Sequence, residues 1–399
     1  MFNFFKRKKP APPAAPKQPR PVQLSPLAAR ANDFALELWR QIATEPKNFV
    51  ISPGSLWLAL AMTASGAKGE TEAELARLLR LPVSPELITR QLERWTAHTV
   101  ELGLTLRAVN RLFGDSRMTF EQPWLSRMDA TFRAPLERLT MGEDPEAARQ
   151  HINTWVSDQT AKKIKDLLPE RAIEKLTRLV LVNAVHFVAK WERKFADTLP
   201  APFHVAPGVT KKVPTMHLVG HFRYAEVKDA KVIELPYQGS PVHMIVVLPN
   251  EDHDVKRIED ALTPEYFETW IAAFDSTYVH VAMPRFELVP EGSLALRESL
   301  EKLGAKLPFD RERADFTGMA QHTRPEDRLL ISNVFHQAFI KVDEEGTEAA
   351  AATAVPMMLA GSAPPREEPR KFHVDRPFLF FLRDAETGVW LFQGRVTSP

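Results

Sequence analysis

The run DEEGTEAAAATAVPMML, residues 343–359, limits what this chain can fold into more than any other stretch. It holds four consecutive alanines, Ala349, Ala350, Ala351 and Ala352, preceded by Gly346 and Thr347 and followed by Ala354 and Val355. Alanine buries little area per residue, so the run cannot build a core. Alanine is also the strongest helix former, yet the flanks at 335–342 and 377–382 carry strand patterns. Local preference and surroundings disagree, which marks a functional, strained element. The competing reading is an Ala/Pro linker, because residues 362–371 that follow are rich in proline and glutamate.

The rest of the chain has ample material for a core, with 44% hydrophobic residues in 399. Residues 1–26 read as a solvated, proline-rich basic tail. Phe2, Phe4 and Phe5 followed by Lys6, Arg7, Lys8 and Lys9 fit an anionic membrane surface; a disordered tail is the expectation preferred over membrane contact by residues 1–9. Seven basic residues and no acid fall in the first 32 positions, so with a whole-chain charge of +1 the body carries −6. A mildly acidic body argues against nucleic acid as partner. The absence of cysteine excludes disulfides and thiol catalysis. No apolar run reaches the ~18 residues that span a bilayer. The N-terminus lacks the order of a secretory signal, so the expected location is cytoplasmic, with export by an unrecognised route as the alternative.

From residue 27 to about 113 the pattern reads as largely helical, and it continues so over 144–175, including 147–156 and 172–176. Ser52-Pro53 reads as a helix start with serine as cap. Residues 179–188 are nearly continuously apolar, as a strand buried on both faces would be. Further strands are predicted at 203–205, 213–216, 221–224, 232–236, 243–248, 278–283, 329–332, 338–342, 378–382 and 389–396, with short helices at 262–273 and 293–303. Early helices and later strands give an α+β class, and no repeat or linker divides 27–399, which reads as a single domain.

Few residues carry catalytic chemistry. Ser65 and Lys68 have a Ser-x-x-Lys spacing, but the companion motifs of such hydrolases are missing, and a helix-end turn is the preferred reading. His217 and His221 stand four apart in a strand-and-turn context, where their rings do not converge, so no metal site and no cofactor is expected. His186 and His336 lie in apolar strands and read as buried, hydrogen-bonded imidazoles.

Glu344, Glu345, Gly346, Thr347, Glu348, Ala349, Ala350, Ala351, Ala352 and Thr353 resemble the hinge of the reactive-centre loop of an inhibitory serpin. The likeness extends along the chain. Residues 48–55 (NFVISPGS), with Ser52 and Ser55, resemble that family's shutter segment; Asn183 to Phe187 with Trp191 and Phe195 resemble the strand leading into its breach. Leu235-Pro236-Tyr237, Met283-Pro284-Arg285-Phe286, residues 314–318, residues 332–336 with His336, and residues 372–380 follow in family order. The resemblance covers about 27–399 and points to a prokaryotic, inhibitory member.

It implies a serpin fold of three β-sheets and eight or nine helices, monomeric, with the loop at about 344–371 exposed as bait. A target serine protease would attack the loop and form a covalent acyl-enzyme; the cut loop would then enter the large sheet and disable the protease. Such a protein is an inhibitor, not an enzyme; a non-inhibitory carrier or chaperone of the same fold is the alternative. Alternate residues of an inserted strand face the core, so Thr347, Ala349, Ala351 and Thr353 would point inward and Glu348 outward. Family spacing puts the reactive bond between Ala360 and Gly361, with Leu359 as the alternative, which suits elastase-, subtilisin- or chymotrypsin-like proteases. Three departures from the family pattern stand out, one of them that residues 361–371 are longer and richer in proline than in many relatives. Pro356 cannot donate a ladder hydrogen bond, and Ala189 stands where the family usually has glycine.

Overall fold

The computed structural model describes residues 24–81, 90, 93, 105–132, 134–250, 254–289, 291–322, 324, 327–347 and 368–399. The tail to residue 23, the hinge residues Glu348 to Thr353, Pro356 and the bond at Leu359–Gly361 lie outside these.

Eight α-helices occur among the described residues: α1 (Pro26–Ile42), α2 (Pro53–Ala64), α3 (Gly69–Leu79), α4 (Gln122–Phe132), α5 (Pro145–Gln159), α6 (Val255–Ala261), α7 (Pro264–Ala272) and α8 (Arg297–Lys302). Four of them begin with a capping residue type followed by proline: Ser25-Pro26, Ser52-Pro53, Asp144-Pro145 and Thr263-Pro264. Proline costs nothing at the first turn, where its missing N–H has no helical partner. Ser25, Asp144 and Thr263 accept from the amides of Ala28, Ala147 and Tyr266. Ser52 does not cap α2, contrary to expectation: its hydroxyl donates to the Leu391 carbonyl instead, at 2.6 Å. Every residue of α2 is buried, so it is a core helix without a polar face.

The strands are β1 (Phe49–Ile51), β2 (Thr105–Asp115), β3 (Leu136–Leu139), β4 (Leu179–Lys190), β5 (Ala196–Ala206), β6 (Val209–Glu226), β7 (Ala230–Pro236) and β8 (Val242–Pro249). They continue with β9 (Asp275–Pro284), β10 (Phe286–Leu288), β11 (Leu294–Ala295), β12 (Phe335–Val342), β13 (Gly346–Thr347), β14 (Arg370–His373), β15 (Phe378–Asp384) and β16 (Trp390–Val396). One sheet runs β10-β12-β13-β4-β2-β3, with β11 on β12. The other runs β1-β16-β15-β8-β7-β6-β9-β14, with β5 on β6. The 18-residue β6 serves both ends of this second sheet, pairing with β7 near its end and with β5 and β9 along the rest. The three expected sheets are therefore joined into two hydrogen-bonded systems.

Three sequence readings are corrected. Residues 105–115 form a strand, not a helix, because ten pairs with β4, from Thr105↔Val188 to Gly114↔Leu179, claim their backbone groups. Residues 172–176 form turns closed by Thr177, which donates its amide to Glu174 O and accepts the Glu174 amide on its hydroxyl. Residues 329–332 bury Leu329 and Ile331 without joining a sheet; the Ile331 amide donates to Pro308 O. Apolar content alone mimicked a strand there.

Two buried ion pairs tie the second sheet to its helices. Arg383 of β15 grips Glu268 of α7 at 3.0 and 3.1 Å, and Arg395 of β16 grips Glu259 of α6 at 2.7 and 3.0 Å. Burial pushes both carboxyls above the usual glutamate range, against the pull of each arginine. Removing one partner strands a buried charge, so Arg383→Met should lower apparent stability by roughly 3 kcal/mol. Adding Glu268→Leu should recover most of it. Thermal unfolding midpoints test this, and an Arg383→Met midpoint equal to wild type would contradict it.

Candidate functional site

Strands β4 and β12 are the centre of the site. They pair in parallel over Phe335↔Val182, His336↔Asn183, Gln337↔Ala184, Ala338↔Val185 and Phe339↔His186. Beyond Phe339 they part, and β13 fills the opening. Thr347 pairs with Val342 of β12 on one side and with Ala189 of β4 on the other. Thr347, the last described residue before position 348, therefore sits between two strands of the seven-stranded sheet.

At the paired end, one closed polar network spans the seam. His336 is fully buried; its Nε2 accepts the Ser52 amide at 3.0 Å, which leaves Nδ1–H to donate to Asn183 Oδ1 at 2.6 Å. Asn183 Nδ2 in turn donates to Ser55 Oγ at 2.6 Å. Burial disfavours the charged ring and lowers the imidazole pKa to about 3, and a proton on Nε2 would also collide with the Ser52 N–H. The pair joins β12 to β4 directly, while Ser52 and Ser55 anchor it to α2. The sequence-selected residues Ser52, Ser55, Asn183 and His336 thus meet in one cluster. The side chain of His186 lies outside the described set.

At the open end Thr347 is fully buried, and its hydroxyl meets Tyr237 Oη at 2.7 Å. Tyr237 stacks on Trp191, with ring centroids 4.5 Å apart and planes 9° from parallel. Burial pushes the Tyr237 phenol up, so it stays neutral. Trp191 holds the turn before the hinge: its Nε1 donates to Asp343 O at 2.9 Å and its amide to Glu345 O at 2.9 Å. The Asp343 carboxylate accepts the amides of Glu345 and Gly346. Arg285 Nε donates to Glu344 at 2.7 Å, and Lys194 pairs with Glu345. Glu344, Glu345, Gly346 and Thr347 are thereby held at the mouth of the seam. Ser65 caps the far end of α2 and donates to Met62 O at 2.7 Å, as a helix-end turn does.

Sequence reasoning passed over Tyr237, Asp343 and Arg285, although Tyr237 and Arg285 stood inside quoted motifs. Thr347 is buried, and a threonine there carries a hydroxyl that needs a buried partner. That need was the available signal. Gly346, one of the hinge residues, is constrained by close approach: an added Cβ would stand 2.0 Å from Ala189 O and 2.6 Å from Lys190 Cα.

These features define an α+β protein in which Gly346 and Thr347 are seated between two strands of its seven-stranded sheet. Residues 29–399 match the family model described as "Serpin (serine protease inhibitor)". The chain is similar to mouse leukocyte elastase inhibitor A, 37% identical over 92% of this chain and 97% of the relative. It is similar to mouse antithrombin-III, 33% identical over 93% and 81%. The solved structure of Serpin48 from Tenebrio molitor superposes with a TM-score of 0.81 at 30% identity, covering 94% and 98% of the two chains. The chain belongs to the serpin family and has the serpin fold, and the family is described as one of serine protease inhibitors. Among the described residues no helix is long and apolar enough to cross a membrane.

Gly346→Ala should expel the hinge from the seam. Its Cβ meets backbone, which cannot swing aside, so residues 344–347 should lose amide protection by about tenfold or more in hydrogen exchange. Unchanged protection would contradict the close approach.

Proposed function

We propose that this chain is a suicide inhibitor of serine proteases of elastase-, subtilisin- or chymotrypsin-like specificity, acting as a monomer. The protease serine attacks the carbonyl carbon of Ala360, the amine of Gly361 leaves, and an ester joins the two proteins. The freed segment from Thr347 onward then extends β13 as a full strand between β4 and β12, carrying the protease with it.

The observation that carries this reading is the seating of Gly346 and Thr347 between β4 and β12. A strand that already pairs on both sides at its first residues needs no new nucleation to lengthen. Insertion must separate the direct β4–β12 pairs and break the His336–Asn183 bond, so the native pairing is a state held until the loop is cut. Small residues at 349, 351 and 353 let each inward position enter without opening the sheet further. The name of the leukocyte elastase inhibitor relative supports a protease that accepts a small or aliphatic residue at the cut.

The test mixes the purified chain with elastase, subtilisin and chymotrypsin. A denaturant-resistant complex should form, and the released C-terminal peptide should begin at Gly361, or at Ala360 if Leu359 is used. Cleavage with full retention of protease activity would favour the carrier or chaperone alternative and overturn inhibition. Thr347→Arg should convert inhibitor to substrate, because a guanidinium would have to enter the buried site facing Tyr237. Inhibitor consumed per protease trapped should rise by about fivefold or more; an unchanged ratio would refute insertion as the trapping step.

A further inference from the structure

Three histidines that the protease-trapping reading does not use lie in a row across three neighbouring strands. His217 is on β6, His280 on β9 and His373 on β14. His217 and His373 both pair with Ala282, from opposite sides of β9, and His280 stands two residues from Ala282 on the same face. Alanine at the centre leaves room for the rings to close over it. His217 Nδ1 lies 3.2 Å from His280 Nε2, and His280 Nδ1 lies 3.3 Å from His373 Nε2. Ring centroids are 5.4 and 4.9 Å apart. His280 uses opposite nitrogens for its two neighbours, so the rings form a chain rather than converging on one point, and among the described residues no cluster is arranged to hold a metal.

Such a chain counts protons. Each contact needs one N–H and one bare nitrogen. With no added proton, tautomers satisfy both contacts. One added proton is also accommodated, since an imidazolium at His280 donates to both neighbours. A second proton leaves one contact with an N–H on each side, and a bond becomes a repulsion. The surroundings oppose charge as well. Burial and the neighbouring cations hold His280 and His373 below the usual histidine range. Lys371 pairs with His280 across β9–β14 and faces the trio. On β6, His221 packs against Tyr278 of β9 at 5.3 Å, and β5 sets Ala196 opposite His217. Asp375, just past β14, is the acid that favours a charged His373, and Arg376 already engages it at 2.6 Å.

What the row fastens is an edge strand. Among the described residues β14 pairs with β9 alone, over four residues; the buried Phe372 set edge-on to Tyr224, the Val374 amide on Ala282 O and an exposed Arg370–Glu226 pair at 3.3 Å add to its hold. Among the described residues it is the first strand after Thr347, so it holds the C-terminal end of the bait segment as Thr347 holds the other. The uncut segment is thus tied at both ends, and full entry between β4 and β12 without cleavage requires β14 to let go.

We infer that His217, His280 and His373 form an acid-operated clasp on β14, which closes at neutral pH and releases the C-terminal end of the bait segment when a second proton enters the row. The sign follows from the lowered pKa values. Folded-state pKa values below the ordinary 6.5 mean that the clasp is fully present above 6.5 and weakens as pH falls below it. This regulation rests on the proposed trapping function for its purpose, but its physical step does not require any protease.

The experiment is hydrogen exchange of the intact, uncut chain at pH 7.5 and 5.5, with protection corrected for intrinsic exchange. Amides of 371–373 should lose about tenfold protection at the lower pH, while those of β15 keep theirs. His280→Gln retains hydrogen-bonding groups but cannot titrate, and its loss should be twofold or less. Lys371→Gln removes a cation facing the row and should give an intermediate loss. Equal protection at both pH values in the wild type, or an equal loss in His280→Gln, would overturn the clasp. If the clasp opens as expected but no protease is trapped at pH 7.5, only the trapping function fails.

Discussion

The parallel pairing of β4 with β12 is the constraint on which the rest of the structure depends. It is a short join, five residue pairs long, inside a sheet whose neighbouring β2–β4 ladder runs for ten. Its backbone bonds are reinforced by one buried side-chain network, in which His336 must stay neutral to accept the Ser52 amide. That network explains a local irregularity in α2. Ser52 forgoes the helix cap that its three counterparts make, because its hydroxyl reaches β16 and its amide reaches β12. A core helix, two central strands and the second sheet are thereby joined at one point.

The two ends of the seam have different chemistry. The closed end is polar and satisfied, and each bond crossing it would have to be broken to admit a strand. At the open end, the strand-to-be has already replaced the missing β4–β12 pairs, and a stacked Trp191–Tyr237 wall receives its threonine. A glycine is required there because β13 runs against the β4 backbone, within reach of any side chain. The glutamates before it stay outside, each bound to a cation.

Much of this was legible in the sequence. The double-sided burial of β4 and the late strands followed from apolar pattern and period. Of the residues the family resemblance named, Ser52, Ser55, Asn183 and His336 meet in one network and Trp191 stands at the other end of the seam. Pairing between distant residues was not legible. Residues 105–113 read as helix because nothing local reveals the β4 ladder that claims their backbone. His217, His280 and His373 are 63 and 93 residues apart and share no motif; only the register of three strands aligns them. Gly346 was legible as a glycine that matters, but its reason, contact with Ala189 O, belongs to tertiary structure.

The most direct measurement is the crystal structure of the chain after cleavage in the bait segment. A strand inserted from Thr347 onward would move β4 and β12 from one strand spacing, about 4.8 Å, to two, about 9.6 Å, and would separate His336 from Asn183. A cleaved chain in which Phe335 still pairs with Val182 and His336 still bonds Asn183 would contradict insertion into this seam.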